Sequence, residues 1–303
     1  MNAPLMTNRE NFQDKEKLQD YLAHQLRGGR LVIVLGSGVS YHFGLPTWEE
    51  LVHGLYRHKK KSLPKGDYSL EDLAENFKNS YYQKDTNGFL DAVYAVLYKK
   101  ASLGFEKFRQ HSLLAAIASL VMASQRGSSS NVITFNFDNL LELYLSYHGF
   151  AVRSIFRDQY WSSYGDVTVY HPHGFIPFEL SADRSSEIVF DQKSYSVISS
   201  TKGGLWRSII LNTMLHKTCL FIGLSGKDIN FDRLLIDSVD NHACKKENTV
   251  FWGVTFSNKN DRIAKKRWEA RGIFYKTVKD FDKDLPKFLF GICEEAAKLE
   301  IKD

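Results

Sequence analysis

The chain has 303 residues, 43% of them hydrophobic, and a formal net charge of +5. That length suits one large domain, or a core domain carrying an inserted module, with a sizeable core of its own. The charge is too modest and too dispersed for a nucleic-acid footprint, so no direct nucleic-acid binding is expected. The three cysteines, Cys219, Cys244 and Cys293, stand far apart without a C-x-x-C pair and propose neither a zinc ribbon nor a disulfide framework.

The N-terminal stretch MNAPLMTNRENFQDKEK has no apolar signal core, and no window approaches eighteen uninterrupted apolar residues. A cytoplasmic protein without membrane segments is expected, with residues 1 to 8 disordered. From Asn11 to Leu26, the apolar positions Leu18, Tyr21, Leu22 and Leu26 share a helical face, and Gly28-Gly29 ends that helix. Leu31 to Leu35 is an unbroken apolar run, the pattern of a strand buried on both faces of a parallel sheet. It breaks into Gly36-Ser37-Gly38, whose backbone suits a phosphate or pyrophosphate but equally an ordinary turn of an α/β protein. After Gly44-Leu45-Pro46, Thr47-Trp48-Glu49-Glu50 has capping-box spacing and opens a helix through Leu51, Val52, Leu55 and Tyr56. Lys59 to Lys61 read as the solvated end of that helix, with contact to an acidic partner as the alternative.

Residues 62 to 127 contain no convincing strand. Ser69 caps a helix with Leu70, Leu73 and Phe77 on one face, and Phe89 to Tyr98 and Phe105 to Met122 add two amphipathic segments. This span is expected to be a helical insertion, with Tyr81, Tyr82, Phe89 and Tyr94 as core residues more naturally than as a ligand box. Gly127 to Ser130 reads as a linker. The sheet then resumes with Asn131 to Phe135, a helix from Leu140, alternating Val167 and Val169, a possible short strand at Glu187 to Phe190, and a helix from Leu205 to Leu215. Strand Thr218 to Ile222, a helix around Phe231 to Val239, strand Thr249 to Thr255, helix Lys259 to Arg271 and strand Ile273 to Val278 complete a βαβ alternation. A C-terminal amphipathic helix is expected from Asp284 to Leu299. The fold class is therefore α/β: a Rossmann-like parallel sheet flanked by helices.

In such a sheet, ligands bind outside the carboxyl ends of the strands. Four of those ends carry polar or glycine-rich groups: LGSGVS at 35 to 40, NFDN at 136 to 139, HPHG at 171 to 174 and GLSGKD at 223 to 228. Each has an ordinary reading, Asn136 as a helix cap, His173 as a turn histidine, Ser225 and Asp228 as turn and cap residues. Their joint placement at one edge favours a site.

With GLPTW at 44 to 48, TFNFDNLLE at 134 to 142 and FIGLSGKD at 221 to 228, these blocks resemble the SIR2-like branch of the sirtuin superfamily, over about residues 30 to 278. The resemblance implies NAD+ as substrate, Asn136 and His173 as the catalytic pair, and Asp138 holding the nicotinamide amide. It places the pyrophosphate on Gly36, Ser37, Gly38 and Ser40, and the adenosine half near Gly223 and Ser225, with Asp228 closing the block. Sirtuin deacylases carry a four-cysteine zinc module. This chain has none, so no zinc or other metal is expected, and the 62 to 127 insertion stands in its place; Phe135 also replaces a glutamine. These departures are similar to bacterial SIR2-like NAD+ hydrolases that act as triggered antiviral effectors through NAD+ depletion. By that likeness, a homo-oligomer, a co-encoded sensor or activator protein, or a nucleotide signal would control activity. The alternatives are an NAD-dependent deacylase and a non-catalytic NAD or nucleotide sensor. The expected domain plan is a SIR2-like domain over 30 to 278, preceded by the N-terminal helix in 1 to 29 and followed by the C-terminal helix in 279 to 303.

Breaking the nicotinamide to ribose bond releases a neutral pyridine, so the leaving group needs no general acid. Asn136 is suited to orient water or ribose hydroxyls, and His173 to accept a proton near neutral pH. His171 is expected to be structural, with a supporting role to His173 as the alternative.

Overall fold

The computed structural model describes residues 9–123, 130–156, 165–179, 183–191, 216–226 and 251–300, with single positions 194, 208, 212 and 213. Seven strands, β1 (Leu31–Leu35), β2 (Ser130–Thr134), β3 (Val152–Ile155), β4 (Val167–Tyr170), β5 (Thr218–Ile222), β6 (Gly253–Ser257) and β7 (Ile273–Thr277), form one sheet. Its order is β3-β4-β2-β1-β5-β6-β7, and every pairing is parallel. The architecture is the Rossmann-like α/β sheet that the βαβ alternation implies.

The alternating side chains of β1 explain why it lies at the centre. Leu31, Ile33 and Leu35 enter the larger core with the helices, while Val32 and Val34 join Ile133, Phe221 and Trp268 in a second core on the other face. A strand flanked by two layers must be apolar at every position, and all five residues are buried. From β1 the chain moves outward on one side to β2, β4 and β3, then returns to place β5 on the other side. The crevice between oppositely directed crossovers therefore opens at the carboxyl end of β1. The register makes the ends level, with Leu35 opposite both Thr134 and Ile222, and Ile133 opposite Tyr170.

The helices among the described residues are α1 (Arg9–Gln13), α2 (Lys15–Arg27), α3 (Trp48–His58), α4 (Leu70–Tyr82), α5 (Thr86–Leu97), α6 (Phe105–Gln110), α7 (Ser112–Ala123), α8 (Leu140–Tyr147), α9 (Arg262–Glu269) and α10 (Asp284–Glu300). The Thr47 and Ser69 capping boxes form with both reciprocal bonds. Two expected helices are each split. Asp14 accepts from the Glu16 and Lys17 amides and restarts the first helix, while His111, in an extended conformation, separates α6 from α7. Helices α4 to α7 fall within the 62 to 127 span, but α7 packs on α2, α8, α10 and β2 as a sheet-flanking layer.

Strand β3 is absent from the sequence reading because it is short and only half-buried, an edge strand without a continuous apolar run. The expected strand at 187 to 190 is not formed. Its alternation, with Ile188 and Phe190 buried, comes instead from a segment laid against the 173 to 175 turn, through Val189 N–H to the His173 carbonyl (2.8 Å) and Ser185 N–H to the Phe175 carbonyl (2.9 Å). The proposed helix at 231 to 239 and Asp228 lie outside the described residues, as do residues 1 to 8 and most of 205 to 215. Among the described residues, no helix is long and apolar enough to cross a membrane.

Candidate functional site

The turn after β1 is a pair of 3-10 turns, Ser37–Val39 and Tyr41–Phe43. Its glycines are required by a neighbour. The Gly36 N–H donates to the Ile222 carbonyl and the Gly38 N–H to the Gly223 carbonyl, both at 3.0 Å. A Cβ at Gly38 would lie 2.8 Å from the Gly223 Cα, and one at Gly223, where φ is +75°, would lie 2.7 Å from the Val39 nitrogen. The glycine turns after β1 and β5 are therefore interlocked backbone to backbone. Two of the amides that the sequence offers to a phosphate are already used by this contact. Ser37 and Gly38 remain on the open rim, half-buried and exposed respectively, while Ser40 is buried.

Across the rim from β2, Asn136 is tied to this turn. Its side-chain Nδ2 donates to the Gly36 carbonyl (3.2 Å) and to Ser40 Oγ (3.1 Å), and its N–H donates to Thr134 Oγ1 (3.2 Å). The Ser40 hydroxyl passes the chain on to Asp138 Oδ2 at 2.8 Å. Asp138 Oδ1 accepts the Leu140 N–H (3.2 Å) in the first turn of α8. Burial pushes the Asp138 carboxyl up to about 6; the bonds from Ser40 and Leu140 pull the other way, Glu142 raises it and His171 lowers it. Ser40, Thr134, Asn136, Asp138 and Glu142, with the apolar Leu35, Val39, Leu140 and Leu141, line a small void of about 10 Å³.

The HPHG turn supplies two histidines to different places. His171 is buried, with Nε2 2.5 Å from Glu142 Oε1 and Nδ1 3.2 Å from the Asn136 carbonyl. Ser154 of β3 donates to the same Glu142 oxygen (3.1 Å). His173 is 8% exposed and meets the Phe135 ring edge-on, with centroids 4.8 Å apart. Phe135, the departure from the sirtuin glutamine, is thus a wall for His173. Beyond it, Ile176 N–H donates to the Phe137 carbonyl (2.7 Å) and Phe178 N–H to Asn139 Oδ1 (3.0 Å), binding the 171 to 179 segment to the 136 to 139 turn. Helix α5 and its C-cap residue Tyr98 hold the same segment, through Tyr98 Oη to the Ile176 carbonyl (2.6 Å) and Tyr94 Oη to the Phe178 carbonyl (2.9 Å).

Residues 130–276 match the SIR2-like domain family. That match covers just under half of the chain. The chain is 23% identical over 230 residues to the NAD(+) hydrolase ThsA of Enterococcus faecium, an overlap of 74% of this chain and 43% of that protein. The chain thus spans less than half the length of that relative. The crystal structure of a Sir2 homolog–NAD complex aligns with it over 94% of both chains, at 17% identity and a TM-score of 0.49.

The structure brings Gly36, Ser37, Gly38, Ser40, Asn136, Asp138 and Gly223 together around one rim. Ser225 is exposed just beyond Gly223, on a loop where Gly226 packs on the Trp268 ring and accepts from Arg267 Nη1 (2.9 Å). Among the described residues, no group of three or more His, Cys, Asp or Glu side chains is placed to hold a metal ion. Glu142 and the α5 tyrosines were missed as site residues. Glu142 was recoverable in principle, because it lies in the same helix turn that Asp138 opens; Tyr94 and Tyr98 were not, because only the fold brings α5 to the His173 segment.

Proposed function

We propose that this chain cleaves the nicotinamide to ribose bond of NAD+, giving nicotinamide and ADP-ribose. The observation that carries the reading is the hydrogen-bonded line from Asn136 through Ser40 to Asp138, set across the glycine turns of β1 and β5. In this reading the pyrophosphate rests on the Ser37–Gly38 rim, and the Asn136 amide and the buried Asp138 carboxyl serve the ribose and the carboxamide. The name of the 23% identical relative supports the same chemistry.

In this reading Asn136 orients the attacking water or the ribose hydroxyls, and Asp138 accepts from the nicotinamide amide. His173, walled by Phe135, takes the proton from water as the oxocarbenium-like ribose is captured, a contribution of about 10² to 10⁴ in rate. Because Asn136 Nδ2 is bound to Gly36 and Ser40 and the void beside it holds little more than a water, nicotinamide entry requires that contact to open. That fits an enzyme held at low basal turnover and released by a trigger, the behaviour of a defence effector that depletes NAD+. The test is NAD+ consumption and nicotinamide release by purified protein, alone and with candidate activators. Asn136→Ala and His173→Ala should each lose turnover while remaining folded; persistent turnover in either would remove its assigned role.

A further inference from the structure

We propose that Glu142 and His171 form a positioning pair that holds the Asn136 backbone, and through it the Asn136 side chain, in register with the glycine turn. A backbone carbonyl can only accept, so the His171 nitrogen 3.2 Å from the Asn136 oxygen must be the protonated Nδ1. The opposite nitrogen stands 2.5 Å from Glu142 Oε1. That separation requires one proton between the two atoms, on Nε2 beside a carboxylate or on the carboxyl beside a neutral ring. In both arrangements Nδ1 keeps its hydrogen and the ring cannot turn over.

The pair also has its own support. Ser154 donates to the Glu142 oxygen, and the Phe175 ring packs edge-on against His171 with centroids 4.6 Å apart. Among the described residues, Asn136 is consequently held at every polar atom but one, by Thr134 at its N–H, His171 at its carbonyl, and Gly36 and Ser40 at its amide nitrogen. The side-chain oxygen is the remaining group to meet a ligand. His171, expected from the sequence to be structural, therefore serves Asn136 through its backbone carbonyl.

The inference rests on the NAD+ cleavage reading for its kinetic arm, and a second measurement is independent of it. Glu142→Gln can donate its amide to Nε2 and so preserve the Nδ1–H tautomer; Glu142→Ala cannot. The kinetic expectation is a fall in kcat of about 10²-fold for Glu142→Ala, the scale of a displaced catalytic group, with KM for NAD+ little changed. Glu142→Gln should recover most of that loss. Equal loss in both variants, or an unchanged kcat in Glu142→Ala, overturns the proposal. The second measurement is the ¹⁵N spectrum of the imidazoles, with His171 assigned by its disappearance in His171→Gln. Nδ1 should be protonated in the wild type and in Glu142→Gln, and the ring should become a tautomer mixture in Glu142→Ala. A wild-type His171 with an unprotonated Nδ1 overturns the pair whether or not the protein consumes NAD+. A correct spectrum with no NAD+ turnover under any trigger overturns the cleavage reading alone.

Discussion

Asp138 offers a sharp separation between stability and activity. Its carboxyl lies at about 6 instead of 3.8, chiefly because it is buried. At about 1.4 kcal/mol per pH unit, the charged form is disfavoured in the fold by about 3 kcal/mol. The sign follows from proton uptake. Below about pH 4 the folded and unfolded chains are both protonated and no penalty exists; between about 4 and 6 the folded chain retains a proton that the unfolded chain has released. Stability from this group therefore falls as pH rises through that window, and the full penalty persists above it. Asp138→Asn cannot ionise and is free of the penalty. It keeps one acceptor for the two donors, Ser40 Oγ and the Leu140 N–H, at a loss of about 1–2 kcal/mol. The variant should be about 1–2 kcal/mol more stable than wild type at pH 7.5 and about 1–2 kcal/mol less stable at pH 4, while NAD+ turnover falls. Urea denaturation of both proteins at the two pH values measures this. An unchanged stability difference between pH 4 and 7.5 would refute the burial argument.

Three further outcomes follow from the same contacts. Ser40→Ala removes a hydrogen bond to the charged form of Asp138, worth about 1.5–3 kcal/mol, so the acidic limb of the pH–rate profile should move up by about one to two pH units; an unmoved limb would dissociate Asp138 from turnover. Gly223→Ala forces a side chain onto a left-handed residue and against the Val39 nitrogen, and should destabilise by about 1–3 kcal/mol in thermal or chemical unfolding. Tyr98→Phe leaves the buried Ile176 carbonyl without its donor, a loss of about 1–3 kcal/mol in stability, and NAD+ turnover per folded molecule should fall with it if the 171 to 179 segment is aligned by α5.

What the sequence made legible depended on the range of the forces involved. Strand β1 and strand β5 are recoverable to the residue because an apolar run bounded by glycine is a local signal, and the Thr47 and Ser69 caps depend on atoms three positions apart. Strand β3 depends on pairing with β4 across a gap in sequence, and Val152-Arg153-Ser154-Ile155 has no local pattern to reveal it. The rim residues Gly36, Asn136 and Asp138 were legible as strand-end polar groups. Their mutual bonds were not, because the same residues could have capped their own turns. The glycines illustrate the difference best. Their need for a bare Cα was clear from the turn, but the reason is the backbone of Gly223, 185 positions after Gly38, and not a ligand alone.

The organisation of the site follows from these long-range contacts. Asn136 and Asp138 stand on a turn braced from behind by His171 and Glu142 and in front by Ser40. The His173 segment is suspended between that turn and α5, with Tyr94 and Tyr98 bonding successive parts of it. Lys78 of α4 reaches Asp191 (2.6 Å), and Arg184 reaches Asp91 of α5 (3.0 Å), so the far end of the same segment is also joined to these helices. The helices α4 and α5 are thus bonded to the segment that follows His173, and their apolar faces share the larger core with β1. A displacement of α5 would be passed to this segment through the Tyr94 and Tyr98 hydroxyls, the Tyr98 ring on Phe178 and the Phe89 ring on Phe190. In the proposed reading, Asn136 is bonded to the turn after β1 and the segment after His173 to Tyr94 and Tyr98, so a partner that displaces α5 acts on one of the two groups before the other.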